Sequence, residues 1–279
     1  MGTRIVVGVV DSLAGRRAVT WAAERAAARG ASLLLMAVVG GAVGAVGEGT
    51  VADSAVTAAG ELLETHASAL RQSGLDVEVV VRRGDPVRQL ISATADQSLL
   101  VIGSDYRGRG DGPARGVHGV RIVAGASCPV VVVPDVDTAD RRGVVVGVDG
   151  SPVSEAAIAF AAAEADRLGE PLIAVAVWTP LAAPRNPGVF PEDYLTNMQA
   201  LTEENLALSL AGLRQDFPDL EIRSRAARGY PSQVINELAA SARLCVVGSH
   251  GRGPITRFLL GSISHEVVLG LATVTAIVR

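Results

Sequence analysis

Lysine is missing from this 279-residue chain, and all 25 of its basic residues are arginine. The two residues serve equally well at most exposed sites, so the bias reflects composition rather than a specialised anion surface. Against 29 acidic residues they leave a formal charge of −4 and a pI near 5.6, which argues against a general nucleic-acid binder with a basic face. Aromatics are equally scarce, at 3% beside a hydrophobic fraction of 49%. Any core must therefore be aliphatic. Only two cysteines occur, Cys128 and Cys245, each beside an apolar strand-like run. Two reduced core thiols are expected, with no disulfide and no metal site. No apolar run approaches the roughly 18 residues that a bilayer span needs. The opening "MGTRIVVGVV" lacks a charged leader and a cleavage site, and Val6 stands where a myristoylation signal wants Ser or Thr. A cytoplasmic protein without membrane partners is expected.

Several catalytic signatures are also missing. Without lysine there is no Gly-x4-Gly-Lys-Ser/Thr, so the phosphate-binding lysine and magnesium hydroxyl of a P-loop hydrolase are absent. Neither a dinucleotide Gly-x-Gly-x2-Gly after a strand nor a hydrolase Gly-x-Ser-x-Gly elbow is found. No nucleophile, base and orienting acid form a set. No catalytic residue is assigned, and any hydrolysis is expected to be slow.

What the chain does contain is itself, twice. "RIVVGVVDS" at 4–12 returns as "GVVVGVDGS" at 143–151, with Gly8 matching Gly147 at an offset of 139 residues. Trp21 then meets Phe160, Gly30 meets Gly169, and "LLLMAVV" (33–39) meets "LIAVAVW" (172–178). Further on, "RRGDP" (82–86) matches "ARGYP" (227–231) and Gly103 matches Gly248 at an offset of 145, so the second half carries six extra residues. The expected domains are 1–134 and 143–279, joined by the polar, proline-initiated "PDVDTADRR" (134–142).

Within each copy, short aliphatic runs alternate with amphipathic stretches. Strands are expected near 4–10, 32–39, 76–82, 98–103 and 129–133, with helices near 14–29, 55–73, 86–96 and 116–125. The second half gives strands near 143–149, 171–178, 220–226, 243–248 and 273–278, and helices near 153–168, 193–214, 231–241 and 262–270. Continuous aliphatic strands alternating with helices specify a doubly wound, mostly parallel α/β sheet, because a parallel return needs a helical crossover. Ligands then lie beyond the carboxyl ends of the strands.

That end of the second half is rich in bare backbone. In "VVGSHGRGPITRFLLGS" (246–262), Gly248 closes a strand, Gly251 follows it, and Gly261-Ser262 opens the next helix. The first two let backbone approach a ligand closely, and the helix start offers amides, a dipole and a hydroxyl to an anion. A phosphate is the natural occupant, although Ser262 standing alone would read as a helix N-cap.

Gly-x2-Gly-x9-Gly-Ser after a "VDGS" strand end resembles the nucleotide motif of the universal stress protein family, over nearly the whole chain and twice. The tandem arrangement is typical of actinobacterial members. The resemblance implies two tandem five-stranded Rossmann-like domains of the adenine nucleotide alpha hydrolase-like type. It also implies ATP, with Mg2+ where the nucleotide brings it. In the ATP-binding branch, the acidic residue ending the first strand holds ribose or adenine, the backbone ending the second strand reads the adenine edge, and the glycine motif wraps the phosphates. Those roles fall on Val148 and Asp149, on Val177, and on Gly248, Gly251, Arg252, Gly261, Ser262 and Ile263. His250 lies in the same loop, where contact with phosphate and plain solvation are both open, while His265 reads as structural. Asp149 also suits a turn-capping role with Gly150 and Ser151.

The first copy has drifted. Val10 stands for Asp149, Tyr106 for Gly251 and Val117 for Ser262, while Gly103 and Gly116 remain and Asp11 is a neighbouring substitute. One ATP per chain is expected. The segments 40–49 and 180–193 follow the second strands and read as surface loops or covers, and Arg109-Gly110-Asp111 reads as a chance tripeptide. The family further implies a stress or dormancy regulator acting on a protein partner. A slow ATPase and a scaffold with vestigial sites are the alternatives. The edges 128–134 and 273–278 are expected to pair the halves about a pseudo-two-fold axis, with a homodimer open.

Overall fold

The computed structural model describes residues 3–40, 48–104, 117–180, 190–251 and 260–279. The chain divides into two compact units, Met1–Val136 and Asp137–Arg279. In the first, strands β1 (Arg4–Gly8), β2 (Ser32–Val39), β3 (Val77–Arg83), β4 (Leu99–Ser104) and β5 (Val130–Pro134) alternate with helices α1 (Leu13–Arg29), α2 (Glu48–Gln72), α3 (Pro86–Ser92) and α4 (Val117–Gly125). The second runs β6 (Val144–Val148), α5 (Pro152–Leu168), β7 (Leu172–Trp178), α6 (Glu192–Leu210), α7 (Leu213–Asp216), β8 (Ile222–Arg228), α8 (Pro231–Ala239), β9 (Leu244–Gly248), α9 (Ser262–Gly270) and β10 (Val274–Val278).

Each unit builds one parallel sheet, in the order β3-β2-β1-β4-β5 and, equivalently, β8-β7-β6-β9-β10. These are the expected doubly wound α/β folds. Strand order reverses beside β1 and beside β6, so a crevice opens at their carboxyl ends. Right-handed crossovers place α1 with α2, and α5 with α6, on one face, leaving α3 packed on α4 and α8 on α9 across the sheet.

The aliphatic runs form the core as their composition demands. Val6, Leu33, Leu35 and Leu100 are fully buried in the first unit, as are Val144, Val146, Leu172 and Leu244 in the second. Each such side chain contributes about 1.5–3 kcal/mol through burial. The first helix of each unit is punctuated alike. Ser12 and Ser151 cap the N-termini by accepting from the Gly15 and Ser154 amides, and left-handed Gly30 (φ 61°) and Gly169 (φ 63°) close the C-termini.

Three helix boundaries differ most from expectation, and β8 lies two residues beyond the expected 220–226. α2 starts at Glu48, seven residues early: no proline interrupts 48–54, Thr57 Oγ1 donates to the Asp53 carbonyl, and Arg83 forms an ion pair with the Asp53 carboxylate. The single helix expected at 193–214 breaks into α6 and α7 at Ala211-Gly212, where glycine's poor helix propensity tells. α3 stops at Ser92, with Ala93 as its C-cap, short of the expected 96. No helix among the described residues is long and apolar enough to cross a membrane.

Candidate functional site

At the crevice of the second unit, the ends of β6, β7 and β9 meet the starts of α5, α8 and α9 around a pocket of about 330 Å³. Val148, Asp149, Val177, Gly248, Gly251, Gly261, Ser262 and Ile263 all line it. Arg252 lies outside the described residues. Eight of the nine positions singled out in the sequence, from three separate segments, thus share one cavity.

The turn after β6 fixes Asp149. Its Oδ1 accepts from the Ser151 amide at 2.9 Å, and its own amide donates to Ser154 Oγ at 3.2 Å, while Gly150 takes the left-handed conformation (φ 74°). Asp149 therefore organises its turn and lines the pocket at once. Its second oxygen explains Gly251: a Cβ there would lie 2.5 Å from Asp149 Oδ2. The aspartate and the glycine belong together sterically.

The opposite wall is a clamp between β9 and α9. Gly261 N–H donates to Ser249 O at 2.8 Å, and a Cβ on Gly261 would sit 3.2 Å from His250 Cα. Ser264 Oγ donates to Gly248 O, tying the helix to the strand end. Gly261 is the N-cap of α9 and makes no side-chain cap bond, so Ser262 occupies the first helical position and the N-cap reading of Ser262 falls away. Amides of the first turn open toward the pocket that Ser262, Ile263 and Ser264 line.

The sequence reading missed the apolar floor, made by Val175, Pro231, Ile235 and Val247, and the two serines, Ser154 and Ser264. Pro231 and Ile235 reach the pocket only because α8 crosses the sheet. The one local hint was Ser264, two residues beyond Ser262. Flanking Pro231, Tyr230 Oη (3.1 Å) and Ser232 Oγ (2.5 Å) donate to the two carboxylate oxygens of Glu266 on α9, which joins the two helices and raises the Tyr230 pKa. On the α6 side of Asp149 a second pocket, about 320 Å³, shares Val148, Asp149 and Val177.

The first unit builds the same turn differently. Val10 is 53% exposed where the second unit has its aspartate. Asp11 extends into solvent and pairs with Arg16 at 3.0 Å. Gly15, the counterpart of Ser154, lets the Val10 carbonyl fold in so closely that a Cβ would meet its oxygen at 2.1 Å. Tyr106 and Gly116 lie outside the described residues, as does the side chain of Val117.

Comparison with known proteins places these units. The model of the universal stress protein family matches residues 1–134 and again 141–279. A universal stress protein of Mycolicibacterium smegmatis is 34% identical over 287 residues, covering 99% of this chain and 96% of its own. One from Mycobacterium tuberculosis is 35% identical over 282 residues, covering 95% and 92%. Among solved structures, a universal stress protein of Archaeoglobus fulgidus superposes with a TM-score of 0.73 at 18% identity, covering 99% of this chain and 96% of its own. A functionally unknown protein of Pseudomonas aeruginosa gives 0.71 at 16% identity, covering 99% and 92%. These last two speak to the fold alone. With the family model matched in both halves and relatives of this identity spanning nearly the full chain, the protein belongs to the universal stress protein family and carries two of its domains in tandem.

Proposed function

We propose that the second unit binds ATP and that the protein is a nucleotide-dependent regulator in a stress or dormancy response, working in the cytoplasm through a protein partner. The observation that carries this reading is the pocket in which Asp149, Val177, the Gly248–Gly251 turn and the start of α9 converge. Adenine suits the apolar floor of Pro231 and Ile235, with the Val177 backbone at its edge. Ribose hydroxyls suit Asp149, which lines the cavity, its Oδ1 holding the turn and its Oδ2 lying beside Gly251. The triphosphate suits the glycine turn and the α9 amides, where the helix dipole favours negative charge. Mg2+ enters as part of the nucleotide, and Arg252 belongs to the same proposal.

Only the second unit is assigned this role, because the rebuilt Val10–Gly15 turn offers no carboxylate in the place of Asp149. Pairing of the two halves through 128–134 and 273–278, and a homodimer, are proposed on sequence grounds. Calorimetric titration of nucleotide-free protein tests the reading, with one ATP per chain expected and Asp149→Ala weakening it about tenfold or more. Two equivalent sites, or none, overturn it. Turnover above a heat-killed control would move the protein to the slow ATPases.

A further inference from the structure

The loop after β9 holds residue 250 from several directions. Ser249 N–H donates to Val278 O at 2.7 Å, its carbonyl accepts from Gly261 at 2.8 Å, and the His250 backbone lies against Gly261. The imidazole is oriented as well: Nδ1 sits 2.9 Å from Ser249 Oγ. Ser249 is fully buried, and among the described residues that ring nitrogen is its hydroxyl's hydrogen-bond partner. A buried O–H with no acceptor costs about 1–3 kcal/mol, so the hydroxyl donates to Nδ1 and the ring hydrogen resides on Nε2, an assignment that follows from the hydrogen-bond network. His250 lines the pocket beside Gly251, Gly261 and Ser262. Nε2 is the ring donor left for a ligand.

Serine is an unusual partner in one respect. Its hydroxyl both donates and accepts, so it can turn to receive a bond from Nδ1 when the ring takes a second proton. The charged imidazole therefore keeps its serine partner, but the buried hydroxyl hydrogen gives up its acceptor, and the attraction of the phosphoryl anion for the charged ring has to outweigh that cost. Titratable and charged groups on the surrounding elements are Asp149 in the turn after β6, Glu155, Glu164, Asp166 and Arg167 on α5, Tyr230 and Glu237 at the start and on the body of α8, Cys245 on β9, His265 and Glu266 on α9, and Arg279 after β10. Of these, Asp149 shares the cavity, while Glu266 is engaged by Tyr230 and Ser232.

We propose that His250 is a proton-linked reader of the ligand's terminal phosphoryl group. Nε2–H donates to a phosphoryl oxygen, and the ring takes up a proton from solvent as the anion arrives, so nucleotide affinity rises as pH falls. This deepens the ATP reading above and rests on it. No bond to the nucleotide forms or breaks.

The test is calorimetry with ATP and with AMP between about pH 8 and about pH 5, the interval in which imidazole titrates. Wild type, His250→Gln and Ser249→Ala are compared, with thermal melts to verify folding. Glutamine keeps an N–H donor and cannot titrate. For wild type, ATP affinity should climb by up to about tenfold per pH unit within the window, the limit for one linked proton. His250→Gln should show a shallower slope of ATP affinity against pH than wild type. ATP's own protonation is common to both proteins, so the difference in slope belongs to residue 250. AMP, whose one phosphoryl group lies too near the ribose to reach the place of ATP's terminal one, should narrow that difference, and Ser249→Ala should lose affinity while keeping the slope. Equal ATP slopes for wild type and His250→Gln overturn the proposal. A wild-type protein that binds ATP at no pH overturns the nucleotide reading instead.

Discussion

Adding one methyl group, by Gly251→Ala, isolates the steric bond between the glycine loop and Asp149. The backbone there lies outside the left-handed region, so alanine introduces a contact problem and no conformational strain. Its Cβ would stand 2.5 Å from Asp149 Oδ2, whereas ordinary contact begins at 3.4 Å. The carboxylate has to swing, and Oδ1 then gives up its 2.9 Å bond from the Ser151 amide. A hydrogen bond to a charged group contributes about 1.5–3 kcal/mol, and solvent exposure at Asp149 puts this one at the low end. The swung carboxylate also leaves the position proposed for the ribose contact, and it is the loss of that contact, about 1.5 kcal/mol, that should cost close to a decade in ATP affinity. Asp149→Ala alone removes the proposed ribose contact and costs about as much or more. In the double variant the added methyl no longer meets a carboxylate, so the second substitution should cost almost nothing. Titration calorimetry on the four proteins measures this cycle, and thermal melts establish that each is folded. Effects that simply multiply, or a Gly251→Ala variant that binds like wild type, would refute the steric argument.

Other expectations rest on separate features. Glu170 is buried, which pushes its pKa up, yet the Gly143 amide and the Arg243 and Arg142 guanidinium groups outweigh that and hold its carboxyl below the usual range. Glu170→Gln should cost roughly 1–2 kcal/mol at neutral pH after discounting the partly exposed arginines. Because the folded pKa is lowered, that gap should be full above the ordinary carboxylate range and close as pH falls through the lowered value, as read by denaturant melts. A gap that persists in strong acid would contradict the assignment. Burial pushes the Cys245 thiol up to about 12, so native protein should resist alkylation there until it is unfolded, a point mass spectrometry decides. Gly15→Ala drives a Cβ to 2.1 Å from the Val10 oxygen and should destabilise the first unit by about 1–3 kcal/mol, despite alanine's better helix propensity. Unchanged or raised stability would show that the turn yields easily.

The fold was legible where side chains answer to local rules. Aliphatic runs such as "VVVGV" and "LCVVG" became strands, and Ser151, Pro152 and Gly169 bounded a helix much as their chemistry dictates. It was less legible where tertiary contact decides. Residues 48–54 lack a start signal and are helical, and Gly212 splits a helix that periodicity alone would continue. For the pocket, glycines and an aspartate at strand ends were visible in the sequence as bare backbone and a turn carboxylate at the ligand end of the sheet, and the cavity they line gathers them. Pro231 and Ile235 did not, since a residue on the helix across the sheet looks like any other core residue until the chain is folded. The rebuilt turn in the first unit was half visible: Val10 showed that the carboxylate was gone, but nothing local showed that Gly15 had made room for a carbonyl.

The joint between the last two helices of each unit has a consequence for how a chain with two like halves folds. In the second, Tyr230 and Ser232 donate to Glu266. At the matching positions of the first stand Asp85, Val87 and Arg121. The Asp85 carboxyl is held below its ordinary value by the Arg88 amide and also by the charge of Arg121. The acid has changed sides. A hybrid joint with Asp85 beside Glu266 would bring two carboxylates together, and one with Tyr230 beside Arg121 would lack the carboxylate that Glu266 supplies. Tandem repeats are prone to exchange elements with their neighbours during folding. The two seams thus differ in kind, one a pair of bonds to Glu266 and the other a helix cap on Asp85, so a helix pair exchanged between the halves would lose the bonds that Tyr230 and Ser232 make at home.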